Sequence, residues 1–243
     1  MNRNIVHNLI MDIGMHVGQD TEFYLKKGFK VVACEPNKRL VESTTEKLSE
    51  YVERDDLTIL NVGICGNTGK RKFYANSTND VWSSFDSSLG SRGGDYQEYD
   101  VECLTLQDLL NEYGSPHYLK IDAEGYEPEV IKTLFNSRDR SDYISVANPN
   151  SAILHVLYEA GYNYFKLSNQ AEVSEEGFQS TTRCGRSVEH TFLPGSSGRF
   201  GTELEGEWLT KEVIKRKLDS YWQLSPQDRL SEGWFDIHAS IIC

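Results

Sequence analysis

Two short stretches of the chain hold the residues able to do chemistry. In the first, the apolar run Leu9-Ile10-Met11 leads into Asp12-Ile13-Gly14-Met15-His16-Val17-Gly18. A carboxylate and two glycines spaced in this way mark a buried strand that breaks into a tight turn and then a helix. Gly14 permits a positive φ and a close backbone approach, and Gly18 lets the next helix pack tightly. A pyrophosphate held at this turn would meet the charge of Asp12, so the turn suits a cationic ligand better than a dinucleotide. A second acid, Glu35, closes the run Lys30-Val31-Val32-Ala33-Cys34, roughly 20 residues on, where such folds place the group that accepts from a ribose diol. Each acid alone could serve as a helix cap or opener. Together, in this order, they fit a nucleoside that carries positive charge, and S-adenosylmethionine, with its sulfonium and ammonium groups, is the expected cofactor.

The second stretch is His117-Tyr118-Leu119-Lys120-Ile121-Asp122-Ala123-Glu124-Gly125-Tyr126-Glu127-Pro128-Glu129. Tyr118, Leu119 and Ile121 read as a buried strand, and Pro128 suits the first turn of the following helix. Lys120, Asp122 and Glu124 then fall at a strand's carboxyl end, the edge where open α/β sheets bind ligands. Ionisable groups there need partners or a cleft. Either Lys120 pairs with Asp122, two residues away on one face, or the group has a catalytic or binding role.

The elements that position these residues follow a β-α-β rhythm. A helix over Asp20–Lys27 stops at Gly28, a strand runs from Phe29 to Glu35, a helix from Asn37 to Arg54, and a third strand from Leu57 to Cys65. This alternation predicts parallel pairing in an open sheet. Gly66-Asn67-Thr68-Gly69 is a turn signal, Lys70–Ala75 an added strand, and residues 76–98 an irregular polar loop in which Trp82 and Phe85 either staple the loop down or line a pocket. Val101–Glu112 reads as a short strand and then a helix. A fifth strand lies over Asp142–Asn148, a helix over Ala152–Ala160, and a sixth strand over Tyr162–Leu167. Gln170–Ser187 reads as a polar excursion, and the glycine-rich 193–207 as either a lid over a bound acceptor or a mobile surface loop. A helix over Thr210–Trp222 precedes Gly233 and the last strand.

The 243 residues are long enough for one domain with a sizeable core, so 1–243 is expected to form a single unit. A net charge of -12 argues against nucleic acid as a partner and gives no membrane-surface signal. Met1–Ile10 lacks the apolar length of a signal peptide and no later run reaches a transmembrane span, so a cytoplasmic location is expected. Cys34, Cys65, Cys103, Cys184 and Cys243 are odd in number and widely spaced, and the six histidines show no ligand spacing. Neither a disulfide framework nor a metal site is read from them.

The Asp12–Gly18 turn, Glu35-Pro36 and above all Leu119–Glu127 resemble the FkbM-type S-adenosylmethionine-dependent methyltransferases. The likeness extends through Tyr164–Gln170, Gly195–Gly201, Glu207-Trp208 and Trp234–Ala239, nearly the whole chain. It implies an α/β, Rossmann-like class I methyltransferase fold with a mostly parallel seven-stranded sheet and helices on both faces. It also implies O-methylation of a hydroxyl on a sugar, glycan or natural product. By this resemblance Asp12, Gly14, Gly18 and Glu35 contact the cofactor. Asp122 or His238 takes the hydroxyl proton, and Glu124, Lys120, Asn148 and Asp236 lie on the acceptor side. One position departs from the pattern: Ala147 stands where the family's fifth strand usually ends in a glutamate, leaving Asn148 and Asn150 as neutral polar groups. Two alternatives stand beside transfer to oxygen. One is a magnesium-assisted variant with Asp122 on the cation, and the other a cofactor-binding module without turnover. A nicotinamide-dependent oxidoreductase is disfavoured by Asp12 and by the glycine spacing.

Overall fold

The computed structural model describes residues 5–135, 140–173 and 175–242, so Cys243 and the first four residues of the Met1–Ile10 stretch lie outside the described residues. Strict in-out alternation along each central strand sets the architecture. In β1 (Ile5–Ile13), Leu9, Met11 and Ile13 face one layer of helices while Ile10 and Asp12 face the other. With β2 (Lys30–Cys34), β3 (Leu57–Leu60), β4 (Ser115–Ile121), β5 (Tyr143–Ala147), β6 (Tyr164–Asn169) and β7 (Phe235–Ser240), it forms a seven-stranded sheet. The spatial order is β3-β2-β1-β4-β5-β7-β6, parallel except for β7, which runs antiparallel to both its neighbours.

Helices cover both faces. On one, α3 (Leu106–Tyr113), α4 (Glu127–Ile131), α5 (Ser151–Glu159) and α6 (Lys211–Gln223) bury Leu106, Val130, Ile153 and Ile214 against Leu119, Ile144 and Ile237. On the other, α1 (Gln19–Lys26) packs Phe23 and Tyr24 onto Ile10, Val31 and Tyr118, with α2 (Lys38–Lys47) beside it. The chain leaves β1 for β2 and β3 on one side and returns to β4 on the other. The carboxyl ends of β1 and β4 are therefore the point where a crevice opens. Among the described residues no helix is long and apolar enough to cross a membrane.

Several expected elements differ. The helix read over Asn37–Arg54 is two, α2 and a short helix Ser49–Glu53, because Leu48 (φ -108°, ψ 22°) leaves helical geometry between them. The strand read to Cys65 ends at Leu60; Gly63–Ile64 pair instead with Tyr96–Leu104, which also runs antiparallel to Gly69–Asn76. The segment 76–98 is thus a built excursion, with a 3-10 turn Asp80–Trp82 and a helical turn Ser87–Gly90 capped by Asp86. The polar stretch after Gln170 is a hairpin of Glu175–Thr181 and Ser187–Phe192, held down where Phe178 and Phe192 meet Phe23 edge-on. Within the glycine-rich 193–207 the middle, 196–201, packs on α1, with Ser196, Ser197 and Phe200 buried and the amides of Ser197 and Gly198 bonded to Asp20, while 193–195 and 205–207 are exposed. A further helix, Pro226–Glu232, follows α6.

Candidate functional site

The turn after β1 is locked from three sides. Gly14 N and Met15 N both donate to Cys34 O, at 3.0 and 3.1 Å, and Asp122 N donates to Ile13 O at 2.8 Å. Gly14 sits at φ 84°, and a Cβ there would lie 1.8 Å from the carbonyl oxygen of Asp122, so only glycine fits between the ends of β1 and β4. Gly18 (φ 71°) serves the packing of α1 against α2, since a Cβ would meet Thr44 Cγ2 at 2.5 Å.

Beneath the turn lies a buried charge network. Asp12 and Lys120 are register partners on neighbouring parallel strands. Lys120 Nζ donates to Asp12 Oδ1 at 3.1 Å and to Gly14 O at 3.0 Å, and it lies 3.7 Å from Asp20 Oδ2. Thr21 Oγ1 donates to Asp12 Oδ2 at 2.6 Å, while Ser197 N and Gly198 N donate to Asp20. Of the two readings open for Lys120, pairing with Asp122 or a binding role, the first is not what the strands build: the ion pair runs to Asp12, because same-face residues two apart on a strand are separated by about 6.5 Å and cross-strand neighbours by about 4.8 Å. Burial works against the charge of Lys120, but Asp12 and Asp20 outweigh it and hold the ammonium above its ordinary range. Asp12 is wholly buried and does not line the crevice. Its part is to fix Lys120, which in turn pins the Gly14 carbonyl.

Above the turn opens a cavity of about 580 Å³, within the range of small-molecule sites. On its β2 side Glu35 presents a carboxylate already oriented by two backbone donors, His16 N at 2.9 Å and Asn37 N at 2.8 Å, and burial lifts it above the usual carboxylate range. On its β4 side stand Asp122, Glu124, Asn148 and Asp236. Burial pushes Asp236 up to about 8, assisted by the charge of Asp122. Burial and then Asp122 push Glu124 up to about 9. Asp122 is itself raised by burial, with Lys120 pulling the other way. Asp236 is the register partner of Ala147, so a carboxyl from β7 stands beside the end of β5, which carries none of its own.

Three further facts were outside the reach of the sequence reading. His238 is on the same face as Asp236 but two residues deeper; it is buried, does not line the cavity, and burial pushes its pKa down to about 3. The expected proton acceptor at His238 is therefore not brought together with Asp122. Trp82, Phe85, Arg92 and Trp234 do line the cavity, and Phe85 also packs on Phe73 at 5.0 Å, so the aromatics of the excursion both staple and line. Finally, three of the four non-glycine residues with positive φ, His16 (53°), Glu124 (43°) and Asn148 (49°), are on its wall. Strain of this kind persists where the surroundings over-determine it, characteristically at working sites.

The cavity wall carries six carboxyl groups, Asp20, Glu35, Asp80, Asp122, Glu124 and Asp236, against two permanent cations, Arg92 and Lys120. Such a cavity is relieved by a ligand that brings positive charge.

Comparison with known proteins bears on this arrangement. No curated protein sequence matches the chain. Among solved structures, a methyltransferase FkbM from Methylobacillus flagellatus KT is 14% identical over 70% of this chain with a TM-score of 0.46, and the chain spans 42% of its length. A precorrin-6y C5,15-methyltransferase from Geobacter metallireducens GS-15 is 11% identical over 98% of this chain and 81% of its own, with a TM-score of 0.42. A SAM-dependent O-methyltransferase from Thermotoga maritima is 12% identical over 97% of this chain and 60% of its own, with a TM-score of 0.36. No residue role is taken from these distant likenesses. The methyltransferase FkbM domain profile matches residues 12–180, from the carboxylate at the end of β1 to the hairpin after β6. The chain belongs to the methyltransferase FkbM domain family.

Proposed function

We propose that the chain is a S-adenosylmethionine-dependent methyltransferase acting on a hydroxyl oxygen of a sugar, glycan or natural-product acceptor. The observation that carries this reading is the excess of carboxyl over cationic groups around a crevice at the β1/β4 switch point. The residues present fit the cofactor: an acid with free lone pairs at the end of β2, a rigid glycine turn on the cavity wall beside it, and carboxyl groups whose ionised forms a positive charge would favour. S-adenosylmethionine supplies, when bound, a methyl carbon made electrophilic by the attached sulfonium.

The chain's own residues do the rest. Glu35 accepts from the ribose diol, and the Gly14 turn, held by Lys120, keeps the end of β1 against Asp122. Asp122 takes the hydroxyl proton; its raised pKa makes it a stronger base than an exposed carboxylate. Glu124, Asn148 and Asp236 orient the acceptor by hydrogen bonds, and Trp82 and Trp234 give flat apolar faces against which a ring can rest. The overall negative charge of the chain favours such a neutral acceptor over a nucleic acid.

Calorimetry with S-adenosylmethionine and S-adenosylhomocysteine, followed by a panel of sugars and glycans scored for transfer of a labelled methyl group, tests the proposal. Asp122→Asn should leave S-adenosylhomocysteine affinity within about threefold while transfer falls by roughly 10²-fold or more. Folded protein that gives no heat with either compound overturns the reading.

A further inference from the structure

At the opposite, amino edge of the sheet, three ligand-type side chains converge from three adjacent strands: His7 on β1, His117 on β4, and Asp142 just ahead of β5. His117 Nδ1 lies 3.0 Å from Asp142 Oδ2, His7 Nδ1 lies 3.5 Å from the same oxygen, and one ligand atom from each residue falls within 4.8 Å of the others. Register accounts for the meeting. Tyr118 pairs with Tyr143, which sets His117 beside Asp142 one step earlier. On β1, regular pairing at Val6↔Pro116 resumes at Ile10↔Tyr118, so four residues of β1 are matched to two of β4. An irregularity of this kind re-aims a side chain, and here the re-aimed one is His7.

We propose that His7, His117 and Asp142 form a binding site for a divalent cation of the zinc type, with its fourth position open to solvent. An ion with tetrahedral ligands at about 2.0–2.1 Å needs donor atoms about 3.3 Å apart, and the two measured separations, 3.0 and 3.5 Å, bracket that value. Two imidazoles and a carboxylate select Zn²⁺ or its neighbours over Mg²⁺ and Ca²⁺, which take oxygen sets. Two of the ligands are held in advance. Asp142 is buried, and the His117 ring stacks on Phe29 at 5.7 Å and meets Tyr143 edge-on at 5.4 Å. The side chain of His7 is 71% exposed and supplies the closing ligand from the solvent side. Among the described residues no other group of three His, Cys, Asp or Glu side chains converges in this way. At about 3.3 Å per residue, β1 separates His7 from Gly14 by roughly 20 Å. The ion therefore cannot meet the reacting atoms, and its effect is to tie three strands together.

The test uses the full chain, untagged and stripped with a chelator. Zn²⁺ is titrated by calorimetry, and Co²⁺ is added separately to read its visible absorption. The expected result is one Zn²⁺ per chain, a Tm raised by roughly 5 °C at saturating metal, and a Co²⁺ spectrum of tetrahedral intensity. His7→Ala, a change at an exposed residue that leaves folding intact, should weaken binding at least tenfold and abolish the Co²⁺ band. Asp142→Asn should do the same where it folds, and His155→Ala, at an exposed histidine elsewhere, should change neither. Absence of Zn²⁺ binding overturns the proposal. So does binding that His7→Ala leaves unchanged, which would reduce the cluster to a hydrogen bond between His117 and Asp142.

Discussion

Replacing Lys120 by methionine separates the internal charge network from the site it supports. Methionine keeps most of the apolar stem but removes the ammonium, so Asp12 loses its 3.1 Å partner and Asp20 its 3.7 Å countercharge. Among the described residues Asp12 then keeps Thr21 Oγ1, and Asp20 keeps the amides of Ser197 and Gly198. Breaking a buried pair from one side costs about 3–5 kcal/mol, a large part of the roughly 5–15 kcal/mol that holds a domain together. The sign with pH follows from Asp20, which burial already raises to about 6 despite the pull of Lys120. A carboxylate raised in the folded state costs nothing below its unfolded pKa, costs progressively more as pH climbs to the folded value, and costs its full amount above it. Without Lys120 the folded value rises further, so Lys120→Met should destabilise more at pH 8 than at pH 5. Urea unfolding followed by circular dichroism measures this, and a cycle with Asp12→Asn isolates the pair. The double variant should recover at least about 1.5 kcal/mol relative to the sum of the single changes. Additive single effects, or a loss below about 1 kcal/mol for Lys120→Met, would refute the assignment of this network as the support of the Gly14 turn.

Two predictions concern the cavity. Glu35→Gln removes a charged acceptor oriented by His16 N and Asn37 N, and S-adenosylhomocysteine should bind roughly tenfold or more weakly by calorimetry. Because Asp236 is raised to about 8 and Glu124 to about 9, a cationic donor that favours their charged forms must displace protons. S-adenosylmethionine affinity should then rise between pH 6 and 9. Calorimetry in two buffers of different ionisation enthalpy should show proton release larger than for S-adenosylhomocysteine, whose sulfur is neutral; equal release for the two compounds would contradict this.

What the sequence made legible was what local chemistry determines. The turn at Gly14 and the strand end at Asp122 announce themselves because a run of apolar residues followed by glycine and acid has few other uses. Those two stretches do converge, with Asp122 N bonded to Ile13 O. The partner of Lys120 was not legible, because the choice between Asp122 and Asp12 depends on the register of two strands far apart in sequence. The same holds for His7, His117 and Asp142, where a bulge in β1 does the work that no spacing rule encodes. The hairpin Glu175–Thr181 and Ser187–Phe192 reads as polar because only one of its faces is covered; its signal was the alternation of Val188, His190 and Phe192, all buried. His238 shows the converse error: alternation correctly puts it on the face of Asp236, but face alone does not say how deep along a strand a cavity reaches.

The strained wall of the cavity allows that functional assignment to be turned into a stability measurement. Glu124 sits at φ 43°, its carboxyl is held near-neutral by burial, and its carbonyl accepts from Ser84 Oγ at 2.8 Å. Nothing in the helix or strand it joins requires a glutamate, and the left-handed conformation costs a residue with a Cβ about 1–2 kcal/mol. Glycine would remove that cost and the half-buried carboxyl, against an entropic penalty of about 0.5–1 kcal/mol. Glu124→Gly should therefore raise Tm by roughly 1–4 °C in the absence of ligand, while methyl transfer falls and S-adenosylhomocysteine affinity changes little. A residue kept for folding would show the opposite, a lower Tm. If Tm falls, the Glu124 side chain itself braces the cavity wall, since glycine keeps the carbonyl that accepts from Ser84 Oγ, and the proposed acceptor contacts reduce to Asp122, Asn148 and Asp236.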